Sequence, residues 1–324
     1  MIILTGGAGF IGSGVLKGLN ERGKGDVIVV DHLGSSEKWK NLVGKRYLDY
    51  LPKDQFLEQL MGGAFGEGQD LEAVIHLGAC SSTTEADADY LWRNNFKYSQ
   101  VLATWCLEKG VRFIYASSAA TYGDGSQGFL DDDAAVPHLR PLNMYGYSKQ
   151  LFDQWALDEG VLDKLVGLKF FNVFGPNEAH KGEMRSLVDK AVLQIQSTGR
   201  LQLFKSHKPE FKDGEQTRDF VYVKDVVAIL LKLLDQPQVA GLFNLGSGSA
   251  RTWNDLAAAV FKALGKPVAI DYIDMPQALR GKYQYHTRAE MGKLRQALGL
   301  LPIRSLEDAV TDYVQQHLIP DQRW

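Results

Sequence analysis

Short apolar runs alternate with amphipathic segments along the first half of the chain. Five runs have the length and composition of buried strands: MIILTG, DVIVVD, EAVIHLGA (72–79), RFIYASS (112–118) and KLVGLKFFNVFG (164–175). Between them, segments 10–22, 95–109 and 148–158 carry apolar residues at helical spacing. This alternation predicts a parallel sheet covered by helices on both faces, a Rossmann-type doubly wound α/β fold.

The pattern changes after Gly175. Residues 176–217 are mostly polar, with one helical segment at 186–197, before RDFVYVKD (218–225) and GLFNLGSG (241–248) resume the earlier alternation. We therefore expect two lobes with interleaved sequence. The larger, Rossmann-type domain takes 1–175 and 218–250, and a smaller α/β substrate-binding lobe takes 176–217 and 251–324. The glycine-rich stretch 62–68 predicts a loop.

Composition narrows the class of protein. The 324 residues are 45% hydrophobic and 23% charged, which is typical of a soluble globular enzyme or binding protein. A net charge of -3 without a basic tail argues against a nucleic-acid partner. Two cysteines, Cys80 and Cys106, are too few for a disulfide framework and fit a reducing compartment. With no signal peptide and no apolar run long enough for a membrane, we expect a cytoplasmic protein, and no residue pattern calls for a metal.

A glycine-rich loop joins the first predicted strand to the first predicted helix. In TGGAGFIG, Gly6, Gly9 and Gly12 stand three residues apart. Such glycines let a pyrophosphate approach the backbone closely, and the helix N-terminus offers it free N–H groups. A tight turn without a ligand would use the same residues. Asp31 ends the next strand nineteen residues after Gly12 and favours a dinucleotide site, because a carboxylate there can bind the adenosine ribose.

Lysines that follow Asp31 bear on the choice between NAD and NADP. A carboxylate favours the free 2′-hydroxyl of NAD, whereas Lys38 or Lys40 could neutralise the 2′-phosphate of NADP. Ordinary surface charge explains the two lysines equally well. These residues alone therefore leave both nucleotides open.

Tyr145 and Lys149 stand four residues apart in NMYGYSKQLF and share one face of a predicted helix. A nearby ammonium stabilises a phenolate, so we expect Lys149 to lower the pKa of Tyr145 and suit it for acid–base chemistry. A solvated helix face is the alternative for this pair. The strand that ends in Ser117 and Ser118 sharpens the choice, since ligands of doubly wound sheets bind at the carboxyl ends of strands.

Together, TGGAGFIG, SSAATYG and YGYSK resemble the extended short-chain dehydrogenase/reductase superfamily over essentially the whole chain. Members of that superfamily bind NAD or NADP and act on nucleotide-sugars with a serine, a tyrosine and a lysine. The resemblance places the catalytic serine at Ser118 rather than Ser117. It implies that Tyr145 is the general base and that Lys149 also holds the nicotinamide ribose.

Further stretches resemble one branch, the ADP-L-glycero-D-manno-heptose 6-epimerases. They are HLGACSSTTE (76–85), NVFGPNEAHKGEM (172–184), RDFVYVKDV (218–226) and LRGKYQYHT (279–287). The resemblance implies inversion of C6 in ADP-D-glycero-β-D-manno-heptose, with retained NADP that takes a hydride and returns it to the opposite face. It also implies a role in making the lipopolysaccharide core precursor, and a homo-oligomer, reported for the branch as a pentamer.

The branch resemblance assigns further residues. Lys181 in HKGEM matches the second catalytic base, although a lysine on a polar loop is ordinarily solvated. Cofactor contacts fall on Gly6, Gly9, Phe10, Ile11, Gly12, Asp31, His32, Lys38, Lys53, Leu77, Gly78, Ala79, Cys80, Ser81, Asn94, Lys149, Val173 and Lys181. Substrate contacts fall on Ser118, Asn172, Glu183, Lys190, Phe204, Lys205, Ser206, His207, Arg218 and Tyr283. Arg218 also stands on its own chemistry, since a guanidinium suits a diphosphate; the alternative is an ion pair with Asp213 or Asp219.

Two other functions compete with the heptose epimerase. The first is a UDP-sugar 4-epimerase or a nucleotide-sugar dehydratase. Ala-Ala-Thr after Ser118 disfavours the dehydratase, for which the resemblance implies an Asp-Glu pair. The second is a dinucleotide-binding sensor without catalysis. The intact set of Ser118, Tyr145 and Lys149 disfavours the sensor.

Overall fold

The computed structural model describes residues 1–65, 70–280 and 283–324. Parts of the predicted 62–68 loop and of the 279–287 stretch thus lie outside the described residues. The strands are β1 Ile2–Thr5, β2 Val27–Asp31, β3 Asp49–Pro52, β4 Ala73–His76, β5 Arg112–Ser118, β6 Val166–Phe170, β7 Asn172–Phe174, β8 Leu201–Phe204, β9 Thr217–Tyr222, β10 Gly241–Leu245, β11 Ala250–Thr252 and β12 Ile270–Ile273.

The α-helices agree with the predicted amphipathic segments and add several short ones. They are α1 Phe10–Glu21, α2 Lys53–Met61, α3 Ala88–Leu91, α4 Tyr98–Lys109, α5 Met144–Asp158, α6 Leu187–Thr198, α7 Val223–Leu234, α8 Trp253–Ala263, α9 Gln277–Arg280, α10 Gly292–Leu298 and α11 Leu306–Tyr313. A π-helical turn, Trp92–Lys97, leads into α4. Within the described residues, no helix combines the length and apolarity needed to cross a membrane.

Seven parallel strands form the central sheet, in the order β10-β6-β5-β4-β1-β2-β3. Helices cover both faces, which confirms the predicted Rossmann-type fold. The strand order reverses between β1 and β4, and such a reversal opens a crevice at the carboxyl ends of the strands. β1 and β4 are fully buried, in keeping with their mostly apolar sequences.

The apolar run 164–175 is two strands rather than the one predicted. β6 pairs with β5 and β10 in the central sheet, whereas β7 pairs with β9 in a three-stranded sheet. A tight turn separates them, with the Val173 N–H donating to the Phe171 carbonyl at 2.9 Å. Because Asn172 alone interrupts the apolar residues 170–174 around the turn, the hydrophobic pattern carries no sign of the change of sheet.

A second hydrophobic core lies beside the three-stranded sheet β11-β9-β7. It is built from α6, α8 and α11, with buried residues such as Ile195, Phe261 and Val310. β8 and β12 form a separate parallel pair. β9 leads directly into α7, which packs against α1 of the Rossmann-type domain. The division of the chain into two lobes stays a prediction.

Candidate active site

A cleft of about 710 Å³ opens at the carboxyl ends of the central strands. Every residue predicted to be catalytic or to contact the cofactor lies on its wall. Most of these residues come from the glycine loop and the start of α1, the ends of β2, β4 and β5, helix α5 and the turn after β7. Lys38 lies in the turn Glu37–Leu42, Lys53 begins α2, Asn94 lies in the π-helical turn Trp92–Lys97 and Val173 lies in β7. The structure therefore brings together groups that are as far apart in sequence as Gly6 and Lys181.

The glycine loop packs against neighbouring backbone so closely that Gly6 and Gly12 have no space for a side chain. Gly6 has φ +68°, and a Cβ there would lie 2.7 Å from the Gly78 backbone nitrogen. A Cβ on Gly12 would lie 2.1 Å from the Gly6 carbonyl oxygen, which no side chain tolerates. No side chain of the described residues caps α1 at Gly9. The first-turn N–H groups are thus available to an anion, and the loop fits the pyrophosphate of a dinucleotide.

Asp31 lies at the end of β2 and is buried, with three hydrogen-bond donors around its carboxylate. The Ala8 N–H donates to Oδ2 at 2.9 Å. The His32 N–H and the Lys38 ammonium donate to Oδ1 at 2.7 and 2.6 Å. Asp31 therefore fixes the glycine loop to β2, and it brings Lys38 to the cleft as an ion-pair partner.

The two serines at the end of β5 have different surroundings. The Ser117 hydroxyl donates to Asp153 at 2.7 Å, inside a buried network where Asp153 also pairs with Lys169 at 2.8 Å. Ser118 accepts the Ala120 N–H at 3.1 Å, and its hydrogen bond to Tyr145 favours the phenolate. The Ser117 hydroxyl is thus used in the buried network, and the Ser118 hydroxyl is the one that interacts with Tyr145.

Tyr145 and Lys149 lie in the first two turns of α5, which Asn143 caps through the Gly146 N–H at 2.9 Å. Burial raises the pKa of Tyr145, and the Ser118 hydrogen bond opposes that shift. The net shift of this pKa is therefore upward, opposite to the lowering expected from Lys149, because burial is the largest effect. Burial also lowers the pKa of Lys149, to about 8, and the Lys149 amine donates to the Ala116 carbonyl at 2.8 Å.

Lys181 stands in a short helical turn, Ala179–Met184, between β7 and α6. Its Nζ lies 5.0 Å from the centre of the Phe10 ring and 3.9 Å from the Glu178 carboxylate. The side chain is 23% exposed, and burial lowers its pKa. Lys181 is therefore a partly desolvated amine on the wall of the cleft rather than a freely solvated surface lysine.

Arg218 lies outside the wall of this cleft, at the start of β9, and is 6% exposed. Its guanidinium carbon is 4.8 Å from the centre of the Tyr283 ring and 5.8 Å from that of Trp253. Within the described residues it has no carboxylate at salt-bridge distance. Asp213 instead accepts the Ser206 N–H and Asp219 the Ser247 N–H, so neither forms the ion pair that was the alternative for Arg218.

The remaining predicted substrate residues also lie off the cleft wall. Asn172 and Glu183 are exposed, and the Lys190 ammonium donates to the Glu183 carbonyl at 3.0 Å. Residues 204–207 are held by their own contacts, among them an ion pair of Lys205 with Asp274 at 3.3 Å. The structure therefore gathers the cofactor and catalytic residues, with Ser118 among them, but leaves the other predicted substrate residues off the wall of this cleft.

A family model described as the NAD dependent epimerase/dehydratase family matches residues 2–246. The chain is also 57% identical over 318 residues to an ADP-L-glycero-D-manno-heptose-6-epimerase of Nitratidesulfovibrio vulgaris, a match that covers 98% of each protein. The chain belongs to the NAD dependent epimerase/dehydratase family.

Two further members of the epimerase/dehydratase family resemble the chain over nearly its full length. An ADP-L-glycero-D-manno-heptose-6-epimerase of Fusobacterium nucleatum is 46% identical over 333 residues, covering 100% of both chains. The solved structure of the Helicobacter pylori ADP-L-glycero-D-manno-heptose-6-epimerase superposes with a TM-score of 0.82 at 28% identity. That match covers 97% of this chain and 95% of that chain.

Asn95 is a residue of the site that sequence reasoning missed. It is 1% exposed, and its amide exchanges two hydrogen bonds of 2.9 Å with the Cys80 backbone. The same amide donates to Ser148 at 3.0 Å, and Ser148 donates to the Tyr145 carbonyl at 2.7 Å. Asn95 thus ties the cofactor wall to α5 from the π-helical turn Trp92–Lys97. The sequence predicted only the first residue of a helix there, because a π-turn leaves no mark on the apolar pattern.

The wall also contains residues to which the sequence analysis assigned no role at the site. His180 is one of them: burial lowers its pKa to about 4, and its Nδ1 lies 3.3 Å from the Asn41 amide. The others are Thr5, Val30, Asp54, Ser82, Tyr90, Tyr98, Ala116, Ser117, Phe170, Phe171 and Met184. Most of them are adjacent in sequence to a predicted site residue, so they could have been predicted as neighbours of the motifs.

Proposed function

We propose that the protein inverts C6 of the heptose in ADP-D-glycero-β-D-manno-heptose, giving the L-glycero epimer for the lipopolysaccharide core. The observation that carries this proposal is one cleft that holds Tyr145 beside Ser118 and also Lys181, next to a dinucleotide loop. A centre that is to be inverted needs a proton-transfer group for each face. The names of the relatives at 57% and 46% identity support the choice of sugar.

Transient oxidation suits this carbon, because a secondary alcohol carbon has no acidic proton to remove. When bound, the nicotinamide dinucleotide supplies a hydride acceptor and then a hydride donor. Tyr145 takes the hydroxyl proton at its phenolic oxygen, with Ser118 hydrogen-bonded beside it. Lys149 is fixed by the Ala116 carbonyl at 2.8 Å, and its ammonium favours the phenolate once the cleft is filled. When the carbonyl presents its other face and is reduced, the Lys181 ammonium donates a proton to the substrate oxygen.

The nicotinamide cofactor is proposed to be NADP, and the surroundings of Asp31 support this choice. Its carboxylate already accepts three N–H donors, so it has little capacity left for a ribose hydroxyl. Lys38 lies 2.6 Å from the same carboxylate and can turn to a 2′-phosphate. Lys53 adds a second positive charge on the wall of the cleft, held by Asn94 at 2.6 Å.

Arg218 is proposed to bind the diphosphate of the substrate. A buried guanidinium without an acidic partner is costly unless an anion completes it. The rings of Tyr283 and Trp253 hold it in place, and Trp253 donates to the Tyr283 hydroxyl at 2.8 Å. Lys190 and residues 204–207 are also proposed to contact the substrate.

A homo-oligomer is also proposed, by resemblance to the branch, with the pentamer as its expected form. Sedimentation velocity of the purified protein measures this directly. A monomeric sedimentation coefficient at micromolar concentration would contradict the oligomer.

The assay that tests the function follows both C6 epimers. Purified protein is incubated with ADP-D-glycero-β-D-manno-heptose, and the epimers are resolved by proton NMR. We expect the two forms to reach equilibrium without added cofactor. Absence of interconversion, with turnover of UDP-galactose instead, would refute the heptose epimerase and favour a UDP-sugar 4-epimerase.

A further inference from the structure

A buried carboxylate closes the turn between β7 and α6. Glu178 is 1% exposed, and its two oxygens accept the backbone N–H and the hydroxyl of Ser186, at 2.7 and 2.6 Å. The Tyr313 hydroxyl donates to the same carboxylate at 3.2 Å. Since Glu178 stands near the start of the turn and Ser186 just after it, these bonds fix the backbone of the segment that carries Lys181.

Lys181 is held between this carboxylate and the cofactor loop. Its Nζ lies 3.9 Å from Glu178 Oε2 and 5.0 Å from the centre of the Phe10 ring. Phe10 is the first residue of α1. A carboxylate and the face of an aromatic ring both attract an ammonium. The amine is therefore fixed at the wall of the cleft by groups on two different elements.

Few other charges face Lys181. Asp189 on α6 is a second buried carboxylate and shares the Tyr313 hydroxyl at 3.3 Å, but Arg185 neutralises it at 2.7 Å. Lys190, also on α6, adds a positive charge nearby. Glu178 is thus the unneutralised carboxylate next to Lys181 among the described residues.

The protonation of Glu178 and Lys181 is coupled through their distance. Burial raises the pKa of Glu178 and lowers that of Lys181, and the attraction between the two charges opposes both shifts. Without the carboxylate, desolvation alone would favour the neutral amine. The Glu178 carboxylate therefore favours the ammonium form of Lys181, from which a proton can be donated.

We propose that Glu178 is a positioning residue for Lys181, which fixes the amine at the cleft and stabilises its ammonium form. The inference rests on the proposed function, in which Lys181 is the second acid–base group. Glu178 itself does not line the cleft, so its effect on the reaction passes through Lys181.

Glu178→Gln tests the charge while keeping the size of the side chain. We expect the titration midpoint of Lys181 to fall by about one pH unit or more, because a negative charge about 4 Å away is lost. Carbon-13 NMR of the reductively methylated protein measures that midpoint, and the Lys181 signal is the one missing in Lys181→Met. The limb of the pH profile of kcat that belongs to Lys181 shifts in the same direction.

Asp189→Asn is the matched control, because it removes the other buried carboxylate of the cluster. Asp189 is already neutralised by Arg185, so we expect less than half the shift seen with Glu178→Gln. An unchanged Lys181 midpoint in Glu178→Gln, or equal shifts in the two variants, would overturn the proposal.

Glu178→Asp provides a second test if the glutamine variant does not fold. It keeps the charge but shortens the reach, so we expect kcat to fall at least tenfold while KM for the substrate changes less than threefold. An unchanged kcat would overturn the positioning role. The NMR titration needs no turnover, so an inactive wild type would refute the proposed function while the link between Glu178 and Lys181 remains measurable.

Discussion

The cofactor side of the cleft and the site around Arg218 differ in how their polar groups are paired. On the cofactor side, Asp31 accepts three donors and Lys53 donates to Asn94 at 2.6 Å. Arg218, by contrast, is as buried as Asp31 but has no acidic partner in the described part of the chain. The cofactor side is already organised by its own hydrogen bonds, whereas the Arg218 site needs an anion to complete it.

This difference predicts how the two regions respond to substitution. Where a group already has a partner in the protein, a ligand must compete with that partner, so replacing the group changes affinity for the ligand modestly. Where a buried charge waits for a ligand, its replacement removes the interaction on which binding depends. The catalytic residues should show the largest effect of all, because they act on the reacting atoms.

Tyr145→Phe is expected to lower kcat for epimerisation at least a thousandfold, since the hydroxyl that moves the proton is lost. Cofactor retention should stay within twofold, because the glycine loop and Asp31 are untouched. Epimer formation by NMR and the nucleotide released on denaturation measure the two effects. Tyr147→Phe is the control: this tyrosine is 47% exposed on the same helix and should leave kcat unchanged. Undiminished turnover by Tyr145→Phe would refute its assignment as the base.

Arg218→Lys tests the unpaired side of the comparison. A lysine keeps the charge but loses the planar, bidentate donors, so we expect roughly a hundredfold weaker binding of ADP. Isothermal titration calorimetry with ADP measures this loss.

Arg251→Lys is the matched control, since Arg251 lies directly opposite Arg218 in the β9–β11 pair. Arg251 is already bonded to Glu307 at 2.6 Å and to Asp255 at 3.1 Å. Its replacement should change ADP affinity less than twofold. Equal losses in both variants would mean that Arg218 contributes only general positive charge.

Sequence reasoning was most successful where the signal is local. The glycine loop and β5 follow from residues that are adjacent in the chain, and α5 follows from apolar residues at helical spacing. The break between β6 and β7, the role of Asn95 and the carboxylate of Glu178 depend on pairing between distant segments. A single sequence does not show which distant segments pair, so these three features could not be predicted from it.

The pKa of Tyr145 shows a second limit. Helical spacing placed Lys149 on the face of Tyr145, but the depth of the cleft was not predictable from spacing. Burial acts on both groups, and it raises one pKa while it lowers the other. Local geometry was therefore predictable, whereas its electrostatic consequence required the tertiary structure.

Lys149→Met measures the cost of a buried charge that is hydrogen-bonded to a backbone carbonyl, in protein prepared without cofactor. The pKa of Lys149 falls from its usual 10.5 to about 8 in the folded state. Below pH 8 the folded protein thus bears the full cost of the buried ammonium, and the cost declines as pH rises toward 10.5. Between pH 7 and 9.5, wild type should gain about 2 kcal/mol of unfolding free energy relative to the variant.

Urea denaturation at the two pH values measures this difference. The hydrogen bond to the Ala116 carbonyl is lost at both pH values, so it cancels in the comparison. Lys109→Met, at an exposed position on α4, should follow wild type in its pH dependence. A parallel change in wild type and Lys149→Met would show that Lys149 is not desolvated as the structure indicates.

Lys38→Met gives the smallest expected effect and tests the paired side of the comparison. Lys38 is bonded to Asp31 at 2.6 Å, so a 2′-phosphate must compete with that carboxylate for the ammonium. We therefore expect affinity for NADP to fall only about tenfold, and affinity for NAD to change less than twofold. Titration of the cofactor-free protein with each nucleotide measures both constants, and Lys40→Met, whose lysine pairs with the exposed Glu37, is the control. A loss for NADP as large as the Arg218→Lys effect on ADP would erase the distinction between the two regions. Equal losses for NAD and NADP would show instead that Lys38 acts through Asp31 and the glycine loop rather than on the phosphate.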